Sequence, residues 1–263
     1  GVPYDASSSF LRGAAQAPPA IRQALHTSSS NLCSESGLDL GVEPRWRDAG
    51  DLDFGDLDFT EGRPPYERIG NALHAILDGG ARALTLGGDH AIAHPILEVY
   101  GRHFEGLNLL QLDAHPDLYD ELDGNRYSHA CPFARIMEAG LVQRLVQVGI
   151  RTLNPHQRAQ AERFGVEILT MRRWPLEQPL EFTGPLYLSL DLDVLDPAFA
   201  PGVSHHEPGG LSVREVIRLI QSLDADLVGA DVVELNPTRD PTGVTAMVAA
   251  KLLKEIAARM LEG

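Results

Sequence analysis

The 263-residue chain has few cysteines and no long apolar run. Its two cysteines, Cys33 and Cys131, are far apart and lack metal-ligand spacing, so we expect no disulfide framework and a reducing compartment, with the cytosol as default. A membrane helix needs about 18 consecutive apolar residues, and a secretory leader joins basic and apolar segments. Neither pattern occurs in the sequence, which therefore predicts no contact with a membrane.

Basic residues are also scarce. The 22 Lys and Arg residues stand against 37 Asp and Glu residues, which gives a net charge of -15. This balance argues against nucleic acid as a partner and suits a small cationic substrate. The length fits one α/β domain over residues 1–263. The opening residues Gly1-Val2-Pro3 are typical of a segment just after a strand, which leaves open that a first strand is missing.

Short apolar runs alternate with helical patterns along the chain. Five runs rich in Val, Leu and Ile predict strands at residues 83–86, 107–112, 145–150, 186–190 and 227–233. Between them, apolar residues recur at helical spacing, and Ser212 with Glu215 predicts a capping box at a helix start. Repeated strand–helix units predict an α/β fold with a parallel sheet, whose ligand sites lie at the carboxyl ends of the strands.

Acidic clusters directly follow two of the predicted strands. These are Asp113-Ala114-His115-Pro116-Asp117 and Asp191-Leu192-Asp193, while Gly87-Gly88-Asp89-His90 follows a third strand. In extended chain, side chains two apart share a face, so the acids and imidazoles can converge. We predict a two-metal site with the ligands His90, Asp113, His115, Asp117, Asp191 and Asp193.

The predicted donor set indicates the metal and the chemistry. Oxygen-rich ligation with two imidazoles and no thiolate favours a hard or borderline ion such as Mn²⁺. Two such ions can lower the pKa of water to about 7 and supply a nucleophile at neutral pH, which makes a hydrolase the leading hypothesis.

Longer motifs resemble the ureohydrolase family, the arginases and agmatinases, and are most similar to plant-type arginases. They are SSSFLRG at 7–13, LGGDH at 86–90, DAHPD at 113–117, NRYSHA at 125–130, residues 189–203, and GADVVE at 229–234. The resemblance implies a three-layer α/β/α sandwich around a mainly parallel sheet, two Mn²⁺ ions per chain and a trimer or hexamer. His90, Asp113, Asp117 and Asp191 would bind one ion, and Asp113, His115, Asp191 and Asp193 the other.

The same resemblance assigns two catalytic residues. His129 matches a family histidine credited with proton shuttling, a role that suits an imidazole with a pKa near neutrality. Glu234 matches the carboxylate that pairs with the substrate guanidinium, whose forked donors a carboxylate can accept. His205 fits the plant-type pattern of the loop after Asp193, whereas His206 departs from it and leaves the shape of that loop unpredicted.

The substrate stays open between two guanidino compounds. The resemblance favours hydrolysis of L-arginine to urea and ornithine, for which Asn125, Tyr127 and Ser128 could bind the carboxylate. The acidic loop at 118–128 instead suits the ammonium of agmatine, which would yield putrescine. A zinc deacetylase of related fold and a non-catalytic scaffold are more remote alternatives. A one-metal deacetylase does not need His90, Asp193 or Glu234, and a scaffold usually loses ligands that this chain keeps.

Overall fold

A parallel sheet forms the centre of the computed structural model, which describes residues 1–55, 57, 59, 63–176 and 178–262. Within these residues the sheet has six strands in the order β1-β6-β5-β2-β3-β4, and every neighbouring pair is parallel. The strands are β1 Leu84–Leu86, β2 Asn108–Leu112, β3 Arg144–Ile150, β4 Glu167–Thr170, β5 Glu181–Asp191 and β6 Asp224–Val233.

Helices cover both faces of the sheet. They are α1 Ala17–Leu25, α2 Tyr66–Asp78, α3 Ala93–His103, α4 Pro132–Glu138, α5 Pro155–Phe164, α6 Val213–Ser222 and α7 Val244–Glu262. One apolar core joins α1, α6 and α7 to one face of the sheet, and a second core joins α2, α3, α4 and α5 to the opposite face. Alternate residues of β2 enter the two cores, since Leu110 and Leu112 pack in the first and Leu109 in the second. The three-layer α/β/α prediction is therefore confirmed.

The predicted elements agree with the structure in most places. All five apolar runs form strands, and the capping box of Ser212 and Glu215 begins α6. Strand β4 was not predicted, because its residues are only partly buried at the edge of the sheet. None of the helices in the described part of the chain combines the length and apolarity of a transmembrane span.

The turn after β1 depends on a close approach to the first residues of the chain. Val2 donates to the carbonyl of Leu86 over 2.8 Å, and Asp89 donates to the carbonyl of Tyr4 over 2.8 Å. A Cβ on Gly88 would lie 1.7 Å from the Tyr4 carbonyl oxygen, so only glycine fits between the two segments. This contact fixes the turn that carries His90 to the edge of the sheet where the other strand ends meet.

Candidate active site

His90 faces three carboxylates from the turn after β1. Its Nδ1 lies 3.1 Å from Asp113 Oδ2, 3.0 Å from Asp117 Oδ2 and 3.3 Å from Asp191 Oδ2. The nitrogen is fully buried, yet it has no hydrogen bond of normal geometry to any residue in the described ranges. A buried nitrogen left in this way among carboxylate oxygens fits a cation bound between them.

A second group of ligand atoms adjoins the first. His115 Nδ1 lies 2.8 Å from Asp193 Oδ2 and 3.6 Å from Asp113 Oδ1. His90, Asp113 and Asp117 form one set that could hold a metal ion, and Asp113, His115 and Asp193 form another, so the two sets share Asp113. The structure thus brings together all six residues that the sequence predicts as ligands.

A row of buried polar side chains crosses the sheet beneath these ligands. The strand register aligns Thr85, Asp231, Ser189, Gln111 and Gln147. Gln111 donates from Nε2 to Asp113 Oδ2 over 2.7 Å. Ser189 donates its hydroxyl hydrogen to Asp231 over 2.8 Å, so its oxygen accepts from His90 Nε2 at 3.0 Å. This bond places the proton of neutral His90 on Nε2 and leaves Nδ1 free to bind a cation.

Burial and charge crowding shift the pKa values in the cluster. Burial, with the charge of Asp113, raises the pKa of Asp117 to about 6. Burial, with the charges of Asp193 and Asp113, also raises the pKa of Asp191 well above its usual value. Burial lowers the pKa of His115, but Asp193 and Asp113 outweigh it and raise that pKa to about 12. Four carboxylates against two imidazoles leave an excess of negative charge that suits divalent ions.

His129 and Glu234 form a buried pair beside the cluster. Glu234 follows β6 in the left-handed backbone region, with φ of 66°. Its Oε1 accepts from the backbone N–H of His90 at 2.8 Å and from His129 Nδ1 at 2.9 Å. Burial lowers the pKa of His129, but the negative charge of Glu234 outweighs it and raises that pKa to about 9. His129 is therefore a cation at neutral pH and can hold a proton on Nε2.

A cavity of about 170 Å³ opens next to His115, Asp117, Asp191, Asp193 and His129. Its other walls include Ser9, Tyr119, Leu122, Thr152, Gln157 and His205. His206, next along the chain, is exposed and lies 2.7 Å through Nε2 from the carbonyl of Pro201. The hydroxyl of Tyr119, which accepts from Asn154 Nδ2, and the amide NH₂ of Gln157 are neutral groups that can donate to an anionic part of a substrate. The Thr152 hydroxyl donates instead to the carbonyl of Ala114 over 3.1 Å.

The three residues that we expected to bind the substrate carboxylate do not line this cavity. Asn125 accepts from the backbone of Tyr127 at 2.8 Å within its own loop. The ring of Tyr127 packs against the Arg63 guanidinium, 4.8 Å from the ring centre. Ser128 accepts from the backbone N–H of Ala130 at 3.4 Å. Local and surface contacts thus engage these three side chains away from the cavity.

The acidic loop at 118–128 also differs from the expectation. Asp120 Oδ1 pairs with Arg126 Nη1 at 2.7 Å and with Arg135 Nη2 at 2.9 Å. Glu121 and Asp123 are not among the residues around the cavity. The loop instead presents Tyr119 and Leu122, so its negative charge is not directed at the cavity.

Several wall residues had no place in the sequence prediction. Thr152 and Gln157 follow the carboxyl end of β3, so the rule that identified the acidic clusters could have found them. Ser9, which reaches the cavity from the start of the chain, lies in the SSSFLRG motif at 7–13, to which the sequence prediction gave no role in the site. Burial raises the pKa of the Cys131 thiol to about 12, which agrees with a packing residue.

Metal-dependent hydrolases commonly gather oxygen-rich ligands in this way, at the carboxyl edge of a parallel sheet between two helical layers. The model of the Arginase family matches residues 1–258. The chain therefore belongs to the arginase family, as the resemblance of its motifs predicted.

Individual relatives agree with this membership. "Arginase 1, mitochondrial" of Arabidopsis thaliana is 47% identical over 277 aligned residues, which cover 99% of this chain and 80% of the relative. The solved structure of an arginase from Medicago truncatula superposes with a TM-score of 0.91 at 42% identity, covering 99% of this chain and 86% of that one. An agmatinase of Neisseria meningitidis is 36% identical over 97% of this chain and 84% of its own length. The chain is a ureohydrolase of the arginase type, a hydrolase that acts on the C–N bonds of amidines.

Proposed function

We propose that the chain hydrolyses L-arginine to urea and ornithine at a site that binds two Mn²⁺ ions. The observation that carries the proposal is the sharing of Asp113 between two sets of ligand atoms beside the cavity. When bound, a pair of divalent ions supplies Lewis acidity and a lowered pKa for water, which hydrolysis of a stable guanidinium requires. His90, Asp113, Asp117 and Asp191 would hold one ion, and Asp113, His115, Asp191 and Asp193 the other.

Glu234 is the proposed partner of the substrate guanidinium. Its Oε1 already accepts two hydrogen bonds, from His90 and His129, while Oε2 accepts none from the residues that the structure describes. Glu234 is not itself among the residues that line the cavity, but it contacts His129, which is. Oε2 is therefore the oxygen that can receive a guanidinium N–H. Burial raises the pKa of Glu234, but the His129 cation and the hydrogen bonds to Glu234 outweigh it and lower that pKa, so the carboxylate keeps its charge for this role.

His129 is the proposed source of the proton for the leaving amine. Glu234 fixes Nδ1, so the exchangeable proton is held at Nε2 on the side of Ser9 and the cavity. With a pKa near 9, His129 carries this proton at neutral pH and can release it to a more basic amine.

Three observations favour arginine over agmatine, which is the second candidate. Asp120 is engaged by Arg126 and Arg135, so the loop offers it less readily to a substrate ammonium. The neutral donors around the cavity suit a substrate carboxylate instead. The relative named arginase is also more similar to this chain than the one named agmatinase, at 47% against 36% identity.

We further propose a homo-oligomer, a trimer or hexamer, in a reducing compartment. Cys33 and Cys131 are both free thiols, which suits such a compartment. The cytosol remains our proposal. A mitochondrial location is the alternative that the name of the Arabidopsis relative supports.

Urea release by the Mn²⁺-loaded protein tests the function, with L-arginine and agmatine assayed side by side. Asp191→Ala removes a proposed ligand and should abolish the signal, whereas Asp226→Ala removes an exposed surface acid and should leave it intact. Faster release from agmatine would reverse the substrate assignment. Release from neither, with two ions bound per chain by elemental analysis, would refute both substrates; a single ion per chain would favour the deacetylase alternative.

A further inference from the structure

Both ring nitrogens of His129 are engaged, from opposite sides. Nδ1 bonds to Glu234 at 2.9 Å, and Nε2 lies 2.9 Å from the hydroxyl oxygen of Ser9. Ser9 is also part of the cavity wall. The nitrogen that would deliver a proton to the substrate therefore contacts the hydroxyl group of a residue that lines the cavity.

Contacts with distant parts of the chain hold Ser9 in this position. The backbone N–H of Ser7 donates to Asp89 Oδ2 at 2.9 Å. The backbone N–H of His129 donates to the carbonyl of Ser7 at 3.2 Å. Residues 7–9 are thus tied both to the turn that carries His90 and to the backbone of His129. The alignment of Ser9 with Nε2 follows from this double attachment.

We propose that Ser9 relays the proton of His129 into the cavity, an inference that rests on the proposed function. In the relay, the Nε2–H bond of His129 breaks as its proton moves to Ser9 Oγ. The original hydroxyl hydrogen of Ser9 moves to the leaving nitrogen at the same time, and the C–N bond of the substrate breaks. Ser9 ends as it began, and His129 ends neutral with its Nδ1–H bonded to Glu234.

The geometry favours a relay over direct transfer. While Nε2–H donates to Ser9, it cannot also donate well to a substrate nitrogen, since one N–H makes one strong hydrogen bond. The hydroxyl hydrogen of Ser9 is then free to donate into the cavity. A charged donor also polarises the hydroxyl it contacts and so strengthens the next hydrogen bond in the chain.

Kinetics of the Mn²⁺-loaded enzyme test the relay with Ser9→Ala, Ser9→Thr and Ser8→Ala. Ser9→Ala should lower kcat about 10-fold or more, because general acid catalysis typically contributes 10²–10⁴-fold. Its KM should change less than about 2-fold, and Ser9→Thr should restore kcat because it keeps the hydroxyl. Ser8→Ala removes a neighbouring hydroxyl that does not contact His129 and leaves both backbone hydrogen bonds of Ser7 in place, so it serves as the matched control.

A proton inventory separates a relay from simple positioning of His129. In mixtures of H₂O and D₂O, kcat of the unmodified enzyme plotted against the fraction of D₂O should give a curve, because two protons move together. The same plot for Ser9→Ala should be linear. Linear plots for both, or an unchanged kcat in Ser9→Ala, would overturn the relay.

¹⁵N NMR of His129 in protein loaded with diamagnetic Mg²⁺ gives a readout that does not depend on activity. Loss of the Ser9 hydroxyl should shift the Nε2 resonance, and Ser8→Ala should not. If the unmodified enzyme released no urea, the proposed function would fail. An unchanged Nε2 resonance in Ser9→Ala would then overturn the contact itself, and a shifted one would support it.

Discussion

Replacing Glu234 with Gln should weaken catalysis in two ways that can be measured separately. The change keeps the shape of the side chain but removes the charge that raises the pKa of His129 to about 9. Without that charge, burial is opposed only by the smaller effects of Asp89 and Asp117, and the pKa should fall to about the usual 6.5. At pH 7.5 the protonated fraction of His129 would then fall from about 97% to about 9%, by the ordinary titration relation. We therefore expect kcat to fall about 10-fold from this cause alone.

The second effect of Glu234→Gln is on substrate binding. Loss of a charge-assisted hydrogen bond to the guanidinium should cost about 1.5–3 kcal/mol, which raises KM about 10- to 100-fold. The assay measures kcat and KM for Mn²⁺-loaded protein from pH 6 to 10, with metal content checked in each sample. Glu98→Gln, a partly exposed carboxylate on α3 that pairs with Arg102, is the matched control.

The pH dependence gives the decisive result for Glu234→Gln. If protonated His129 is required, activity of the unmodified enzyme should fall as the pH rises through about 9, and activity of the variant should fall at lower pH. The contribution of His129 to the free energy of unfolding should also fall as the pH rises. A pKa raised by folding contributes stability that is complete below pH 6.5 and is lost as the pH rises through about 9. An unchanged alkaline limb together with an unchanged NMR titration of His129 would refute the reasoning.

Three further changes test the support of the site. Asp113→Asn should reduce binding of both ions, because both ligand sets use Asp113, whereas Asp117→Asn should affect only one ion. Elemental analysis of each variant measures this, and two ions remaining in Asp113→Asn would refute the shared role. Ser189→Ala should weaken metal affinity about 10- to 100-fold, because it removes the hydrogen bond to His90. Calorimetric titration measures the affinity, and Ser222→Ala is the control because the Ser222 hydroxyl on α6 bonds only locally. Gly88→Ala should lower the free energy of unfolding by about 1–3 kcal/mol, because a Cβ would meet the Tyr4 carbonyl at 1.7 Å, and an unchanged denaturant midpoint would contradict this.

The central sheet was predictable because its strands are buried on both faces and therefore form short, continuous apolar runs. Strand β4 escaped this rule, since an edge strand with partly exposed residues carries no such run. The polar row of Ser189, Gln111 and their neighbours was equally hidden. Each member is a single polar residue within an apolar run, and only the strand register aligns them.

The grouping of the candidate metal ligands was predictable for a related reason. Asp113 and Asp191 lie at or directly after the ends of β2 and β5, so the sheet itself sets their positions. The expected substrate residues Asn125, Tyr127 and Ser128 lie in a loop, where no periodicity fixes the direction of a side chain. Their partners, among them Arg63 in contact with Tyr127, could not be read from the sequence.

The walls of the cavity are set by contacts between segments far apart in the chain. Ser9 depends on the bond from Ser7 to Asp89, and the start of the loop that carries Tyr119 depends on the bond from the Leu118 N–H to Gln157 at 3.1 Å. Substitutions in these loops can therefore change the walls while the strand ends keep the metal-ligand geometry. This separation offers a physical reason why proteins named arginase and agmatinase both match nearly the whole chain. It also implies that substrate preference should change more readily through residues such as Thr152 and Gln157 than through any of the six candidate ligands.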